Sequence, residues 1–159
     1  RTYALINLGH AFSNMNIVTG NSVYFTRDIM WGGTNITNRI KDVMVLNPQE
    51  AEALKRNPGE KRQQVIDVIM PVIDRYISQI RMSFDYFESQ FGKNVEKIYL
   101  SGGGVYLFNI VDTFKDSLGI EAAIWNPFEA MAISEPALEK IIGAFPARFS
   151  VAMGLAMRK

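Results

Sequence analysis

At 159 residues, with 48% hydrophobic and 21% charged side chains, the chain has the make-up of one globular domain and is short for two of ordinary size. Seventeen basic against sixteen acidic residues leave a net charge of +1, so no overall field draws it toward nucleic acid or an anionic membrane. The lack of cysteine removes disulfides, thiolate metal sites and a cysteine nucleophile, and the single histidine, His10, removes any multi-histidine metal cluster. No apolar run approaches the roughly 18 residues of a membrane-spanning helix, so direct membrane insertion is not expected. The first residue is Arg1 rather than Met, which predicts a piece of a longer protein.

Tyr3–Leu8 is mostly apolar and ends at Gly9, as a buried strand does. Met15–Thr19 reads as a second strand. Gly20-Asn21 then makes a two-residue turn into Ser22–Ile29, a hairpin signal, since both residues tolerate positive φ. Trp31-Gly32-Gly33 breaks that third strand, and Thr34 is placed to cap a helix carrying Ile36, Ile40, Val43 and Met44 on one face. Asn47-Pro48 starts another helix, with Asn47 as N-cap and Pro48 in the first turn, stopping near Asn57-Pro58-Gly59. About thirty helical residues follow. Val65, Ile69, Val72, Tyr76, Ile80, Phe84, Phe87 and Phe91 step by three or four, and Pro71 predicts a kink or break near Asp67–Met70 before Gly92 ends the helix. Lys97–Leu100 is a short strand running into Ser101-Gly102-Gly103-Gly104. A helix over Leu107–Leu118, a strand Glu121–Ile124, and two helices from about Glu135-Pro136 and over Pro146–Lys159 complete the chain. The order predicts an α/β fold, a mixed five-stranded sheet opening with an antiparallel hairpin and flanked by helices, with a helical insertion at about 34–92.

Three glycine-bearing turns lie beside strands: Asn7-Leu8-Gly9, Trp31-Gly32-Gly33 and Ser101-Gly102-Gly103-Gly104. Glycine admits close approach of a ligand to backbone, and amides at a helix start carry partial positive charge suited to phosphate. Neither a Gly-Lys-Ser/Thr ending nor a GxGxxG is present, which argues against Walker and Rossmann sites. On spacing alone, Glu52, Lys55 and Arg56 form a solvated helix face worth a few tenths of a kcal/mol per pair. Asp67, Asp74 and Asp85 read as solvated, Trp31 and Trp125 as core or interface anchors, and His10 as a bystander in its turn, without a nearby carboxylate to make it a base.

Taken together, the turns resemble the second half of the actin-like ATPase superfamily, which includes actin, MreB, FtsA and sugar kinases. Asn7-Leu8-Gly9 matches its Asp-x-Gly phosphate hairpin, Glu52-Ala53-Leu54-Lys55-Arg56 its Glu-x-x-Lys-Arg helix beside ribose and adenine, and Ile98–Gly104 its adenosine turn. The chain is more closely similar to the PilM family of type IV pilus assembly proteins. Phe25-Thr26-Arg27-Asp28-Ile29 leading to Gly32-Gly33, Glu50–Lys55, Leu100–Gly104, Leu118-Gly119-Ile120, Asn126-Pro127-Phe128 and Ala152–Arg158 carry that resemblance. It implies a ribonuclease H-like half of an actin-like protein, residues 1–159 forming one nucleotide-binding domain whose companion first domain would precede Arg1. ATP and Mg are the implied cofactors. Asn7, Gly9, Ser13, Gly33, Glu52, Lys55, Arg56, Gly102, Gly103 and Gly104 are the implied binding residues. The implied partners are the cytoplasmic peptide of a PilN-like membrane protein, held through the first domain, and other pilus assembly proteins. The implied location is cytoplasmic, peripheral to the inner membrane.

Two departures shape the expected activity. Asn7 stands where the superfamily has an acid, and an amide bears no charge and is no base. Phe108 stands where a proline is common, leaving Asn109 to cap the next helix. A nucleotide-binding scaffold, with ATPase activity weak if any, fits these residues best. The alternatives are an active ATPase or sugar kinase of the superfamily, and a structural relative that has lost nucleotide.

Overall fold

Three strands open the fold: β1 (Thr2–Leu8), β2 (Ser13–Thr19) and β3 (Ser22–Ile29). The computed structural model describes residues 1–129, 131 and 135–158. Burial alternates along β1, with Thr2, Ala4, Ile6 and Leu8 inward, and along β2, with Ser13, Met15 and Ile17 inward. That period of two turns one face of the hairpin into the core. Gly20, at φ +59°, turns the chain so that Thr19 faces Ser22. The register shifts between Ile17 and Val18, leaving Tyr24 as an extra, bulged residue on β3. β4 (Lys97–Ser101) runs parallel to β1, pairing Tyr3 with Lys97 and Asn7 with Ser101, and β5 (Glu121–Ile124) runs parallel to β4. The strand order is β3-β2-β1-β4-β5, the mixed five-stranded sheet that the sequence predicts.

The helices are α1 (Gly33–Met44), α2 (Pro48–Arg56), α3 (Arg62–Phe91), α4 (Ile110–Leu118), α5 (Pro136–Ala144) and α6 (Ser150–Ala156). α2 starts as its sequence dictates. The Asn47 side chain accepts from the Glu50 amide (2.9 Å) and the Glu50 carboxylate accepts from the Asn47 amide (2.9 Å), a reciprocal cap worth about 1 kcal/mol. α1 begins differently from expectation: Gly32 is its N-cap, and the Thr34 hydroxyl instead donates to the His10 carbonyl (3.0 Å). The expected break at Pro71 does not occur, and α3 runs on as one helix of 30 residues. Pro71 is exposed, so the carbonyl it leaves without a helix partner lies on the watered side, while the inner face stays packed. That face is broader than the predicted stripe, since Val68, Ile73 and Ile77 are buried as well.

Trp31, Tyr76 and Phe114 tie the layers together. The Trp31 and Tyr76 rings stack 4.0 Å apart with 6° between their planes, and Tyr76 meets Phe114 edge-on at 5.9 Å. Such pairs contribute about 1 kcal/mol beyond the area they bury. Burial pushes the Tyr76 phenol well above its ordinary range, so it stays neutral. After β4 the chain makes a 3-10 turn over Gly103–Tyr106 before α4, where one helix over Leu107–Leu118 was expected. Asn109 occupies the N-cap position of α4 but does not cap it: held at φ +59°, it accepts a hydrogen bond from Arg62 Nη2 (3.1 Å). The last predicted helix is a 3-10 turn, Pro146–Phe149, followed by α6, and its expected end at Lys159 lies outside the described residues.

Candidate functional site

The C-terminal ends of β1 and β4 lie side by side, and the turns that follow them build one wall of a cleft. At the first, the Gly33 amide donates to the Gly9 carbonyl (3.0 Å), and the Thr34 amide donates to the His10 carbonyl (2.9 Å). The hairpin tip is thereby strapped to the start of α1. His10 lines the cleft from this tip, whereas Ala11 packs against Gly32, where an added Cβ would lie 2.8 Å from the Ala11 nitrogen. At the second, Gly102 sits at φ +87° with its amide on the Ala147 carbonyl (2.9 Å). A Cβ there would run into the Asn7 side chain and lie 2.5 Å from the Leu8 carbonyl oxygen, and one on Gly104 would lie 2.7 Å from Leu8 Cβ. Only glycine lets this turn press against the end of β1. Gly103 differs, because its added Cβ would come no closer than 3.9 Å to Arg148 Nε.

Side chains from α2 build the opposite wall. Lys55 Nζ donates to Thr37 Oγ1 (2.8 Å) and to the Gly33 carbonyl (3.3 Å), and pairs with Glu52 Oε2 at 2.7 Å. Arg56 Nε pairs with Glu52 Oε1 at 3.0 Å. Spacings of three and four residues put all three groups on one helix face, as the sequence predicts. Partial burial pushes the Glu52 carboxyl up, but hydrogen bonds from Lys55, Thr37 and Arg56 together with the Lys55 charge outweigh it and hold the group at about 2. Glu52 is therefore an anion at any physiological pH and a very weak base.

The third wall comes from residues that the sequence reading missed. Tyr106 and Leu107 follow the glycine turn, and Phe145 and Arg148 arrive from the segment between α5 and α6. The Arg148 guanidinium lies 4.3 Å from the Phe145 ring centre and 5.7 Å from that of Tyr106, and the two rings meet edge-on at 5.0 Å. The Tyr106 hydroxyl accepts from the Ala147 amide (3.0 Å), which anchors this cluster to the turn holding Gly102. Two aromatics and an arginine bordering a cavity suit a flat, electron-rich group. Their only trace in the sequence is the compact Phe145-Pro146-Ala147-Arg148 run, which carries no periodicity to mark it.

The cavity between these walls has a volume of about 450 Å³, with Trp31 and Ile36 also lining it. Of the ten residues expected at a ligand, Gly9, Gly33, Glu52, Lys55, Arg56, Gly103 and Gly104 line it. His10, expected only as a bystander, lines it too. Ser13 does not: it is fully buried, its hydroxyl donating to the Trp31 carbonyl (2.7 Å), because its place on β2 turns it into the core. Gly102 is spent on packing against Asn7 and Leu8. Asn7 sits behind the turn, its Oδ1 accepting from Ser101 Oγ at 3.5 Å.

A hairpin-led mixed sheet with a cleft at the ends of its two central parallel strands is the architecture of actin-like ATPase-fold proteins. The chain belongs to the family described as type IV pilus assembly protein PilM, which it matches over residues 1–159. Among solved structures, it is similar to the PilM-PilN type IV pilus biogenesis complex, with 28% identity and a TM-score of 0.85, over 99% of this chain and 46% of that one. It shares its fold with MreB 5 of Spiroplasma citri bound to AMPPNP (14% identity, TM-score 0.65, 91% of this chain and 55% of that one). The fold recurs in the ethanolamine utilization protein EutJ from Carboxydothermus hydrogenoformans (19% identity, TM-score 0.65, 76% and 43%). The chain thus spans about half the length of the structures it matches. No helix among the described residues is long and apolar enough to cross a membrane.

Proposed function

We propose that this chain is the nucleotide-binding half of a PilM-type scaffold, taking Mg-ATP in the cleft and using it to set conformation rather than to turn it over quickly. The observation that carries this reading is the convergence of the Gly9–His10 tip, the Gly103–Gly104 turn and the Glu52–Lys55–Arg56 face on one cavity of about 450 Å³. The backbone of the Gly9–His10 tip suits phosphate oxygens, Lys55 and Arg56 supply positive charge, and Glu52 can accept from sugar hydroxyls. The Tyr106–Phe145–Arg148 cluster offers a purine its apolar and cationic contacts. The MreB structure similar in fold is bound to AMPPNP, which agrees with this use of the architecture.

Slow turnover is supported by the carboxylates. The hairpin acid is replaced by Asn7, and Glu52, lining the cavity, is too acidic to take a proton from water. No group of three or more His, Cys, Asp or Glu side chains gathers to hold an ion among the described residues, and in this reading magnesium would arrive with the phosphates. Closure on nucleotide would then shift the balance of conformations through its different affinity for each. The partner in this reading is a PilN-like cytoplasmic peptide held by the companion domain, which places the assembly on the cytoplasmic side of the inner membrane.

The test is calorimetric titration of Mg-ATP into the full-length protein beside Gly103→Val. A Cβ at Gly103 would meet nothing nearer than Arg148 Nε, at 3.9 Å, so the valine is expected to intrude on the cavity rather than on the backbone of the turn. Binding should weaken at least about tenfold in the variant with the melting temperature unchanged. Equal heats from both proteins would remove the turn from the site, and no heat from the parent would sink the nucleotide reading.

A further inference from the structure

His10 stands at the hairpin tip with its backbone fixed and its side chain unengaged. Its carbonyl accepts from both the Thr34 amide (2.9 Å) and the Thr34 hydroxyl (3.0 Å). A Cβ on Gly32 would lie 2.5 Å from that carbonyl oxygen, so only glycine lets the start of α1 close on the tip. The imidazole is exposed, borders the cavity, and makes no hydrogen bond or ion pair among the described residues. Lys55 Nζ reaches the same corner from α2. It donates to the Gly33 carbonyl, and a Cβ on Gly33 would have Lys55 Nζ at 3.4 Å and the His10 carbonyl oxygen at 3.8 Å. The other charges around the tip are committed. Glu52, the one acid in the lining, is shared between Lys55 and Arg56. The α1 helix brings no charge before Arg39, whose guanidinium donates to the Val68 carbonyl (3.2 Å). On the β2–β3 side, the Asp28 carboxylate accepts from the Asn14 side-chain amide. Arg148 and Tyr106 line the third wall, the tyrosine hydroxyl already bonded to the Ala147 amide. Histidine is the one residue type in this lining that changes charge between pH 5 and 8.

We infer that His10 couples nucleotide binding to a proton: its imidazole becomes imidazolium against the phosphate chain at the hairpin tip, and affinity rises as the pH falls. This rests on the nucleotide reading above and adds to it a contacting side chain and a pH dependence. The cause is electrostatic. Without phosphate, Lys55, Arg56 and Arg148 against the single Glu52 leave the lining positive, which disfavours one more positive charge on the imidazole. A phosphate chain at the tip reverses the sign of that local field. The anion then favours the charged imidazole and, by linkage, the charged imidazole favours the anion. An imidazolium N–H also gives a phosphate oxygen a charge-assisted hydrogen bond that the neutral ring cannot match. The Thr34 clamp matters here because it fixes the backbone from which the ring reaches, so little order has to be gained on binding.

Calorimetry near neutral pH in two buffers of different ionisation enthalpy counts the protons taken up as Mg-ATP binds the full-length protein. The parent should take up a fraction of a proton and bind at least about threefold more tightly at pH 6 than at pH 8. His10→Gln should bind without that uptake, and the gain at pH 6 should disappear. His10→Lys carries a fixed charge and should bind at pH 8 about as tightly as the parent does at pH 6. The side chain is exposed, so both variants should melt with the parent. Adenosine has no phosphate, and its binding should be indifferent to residue 10. Binding by the parent without proton uptake, or uptake undiminished in His10→Gln, would overturn the proposal and leave the nucleotide site standing. No heat from the parent at either pH would remove the nucleotide site itself, and the proposal with it.

Discussion

The two principal walls of the cleft are made of different material. On the β1–β4 side, the surface is backbone, held where it is because Gly102 and Gly104 allow two chain segments to touch. On the α2 side, it is a set of charged side chains whose backbone is an ordinary capped helix. A substitution in the first wall therefore acts on the fold before it can act on a ligand. A substitution in the second can change what the cleft binds while leaving the sheet intact.

The largest expected effect tests the first half of that contrast. Gly102→Ala forces an L residue to φ +87° and a methyl into the Leu8 carbonyl, and should cost about 3 kcal/mol in urea unfolding. A loss under about 1 kcal/mol would show that the β4 turn can retreat from β1, and the wall would not be backbone-determined. Gly103→Val, one residue along, separates the two roles within the same turn: its cost in stability should stay below about 1 kcal/mol while nucleotide affinity falls. Val45 lies in neither wall, closing α1 in a left-handed conformation (φ +53°) with its side chain 89% exposed. Val45→Gly should stabilise by about 1 kcal/mol and leave binding untouched, which checks that stability alone does not drive the titration.

The side-chain wall is tested through its pH dependence. The Glu52 carboxyl is held below its ordinary 4.5, at about 2. A lowered value means that the folded state favours the anion, so the contribution to stability is complete above pH 4.5 and disappears as the pH falls toward 2. The stability difference between the parent and Glu52→Gln should shrink across that window in acid denaturation followed by circular dichroism. A difference independent of pH would mean that Lys55 and Arg56 are oriented by something other than the carboxylate.

Local patterns in the chain account for much of this fold. The Gly20-Asn21 turn, the Asn47–Glu50 cap and the glycine at 92 act within a few residues, so their outcomes are written in neighbouring side chains. The α2 part of the cleft was legible for the same reason, since spacings of three and four fix which groups share a helix face. Pro71 shows the limit of such reading. A proline predicts a broken helix, and only the packed inner face of α3 and the solvent outside Pro71 decide that it continues.

Ser13 and Arg148 mark the same limit at the site. Ser13 follows the phosphate-hairpin pattern, yet strand alternation turns its hydroxyl onto the Trp31 carbonyl. Arg148 belongs to no motif, and it reaches the cleft because the chain after α5 returns to the Gly102 turn through the Ala147 carbonyl. The sequence by itself determined the strands, the Gly20-Asn21 turn, the Asn47 cap of α2 and the residue types that could meet a nucleotide, because those depend on contacts a few residues apart. Only the tertiary structure decided which of them face the cavity, because that depends on how β1 and β4 pair across some ninety residues of chain and on what then packs against their ends.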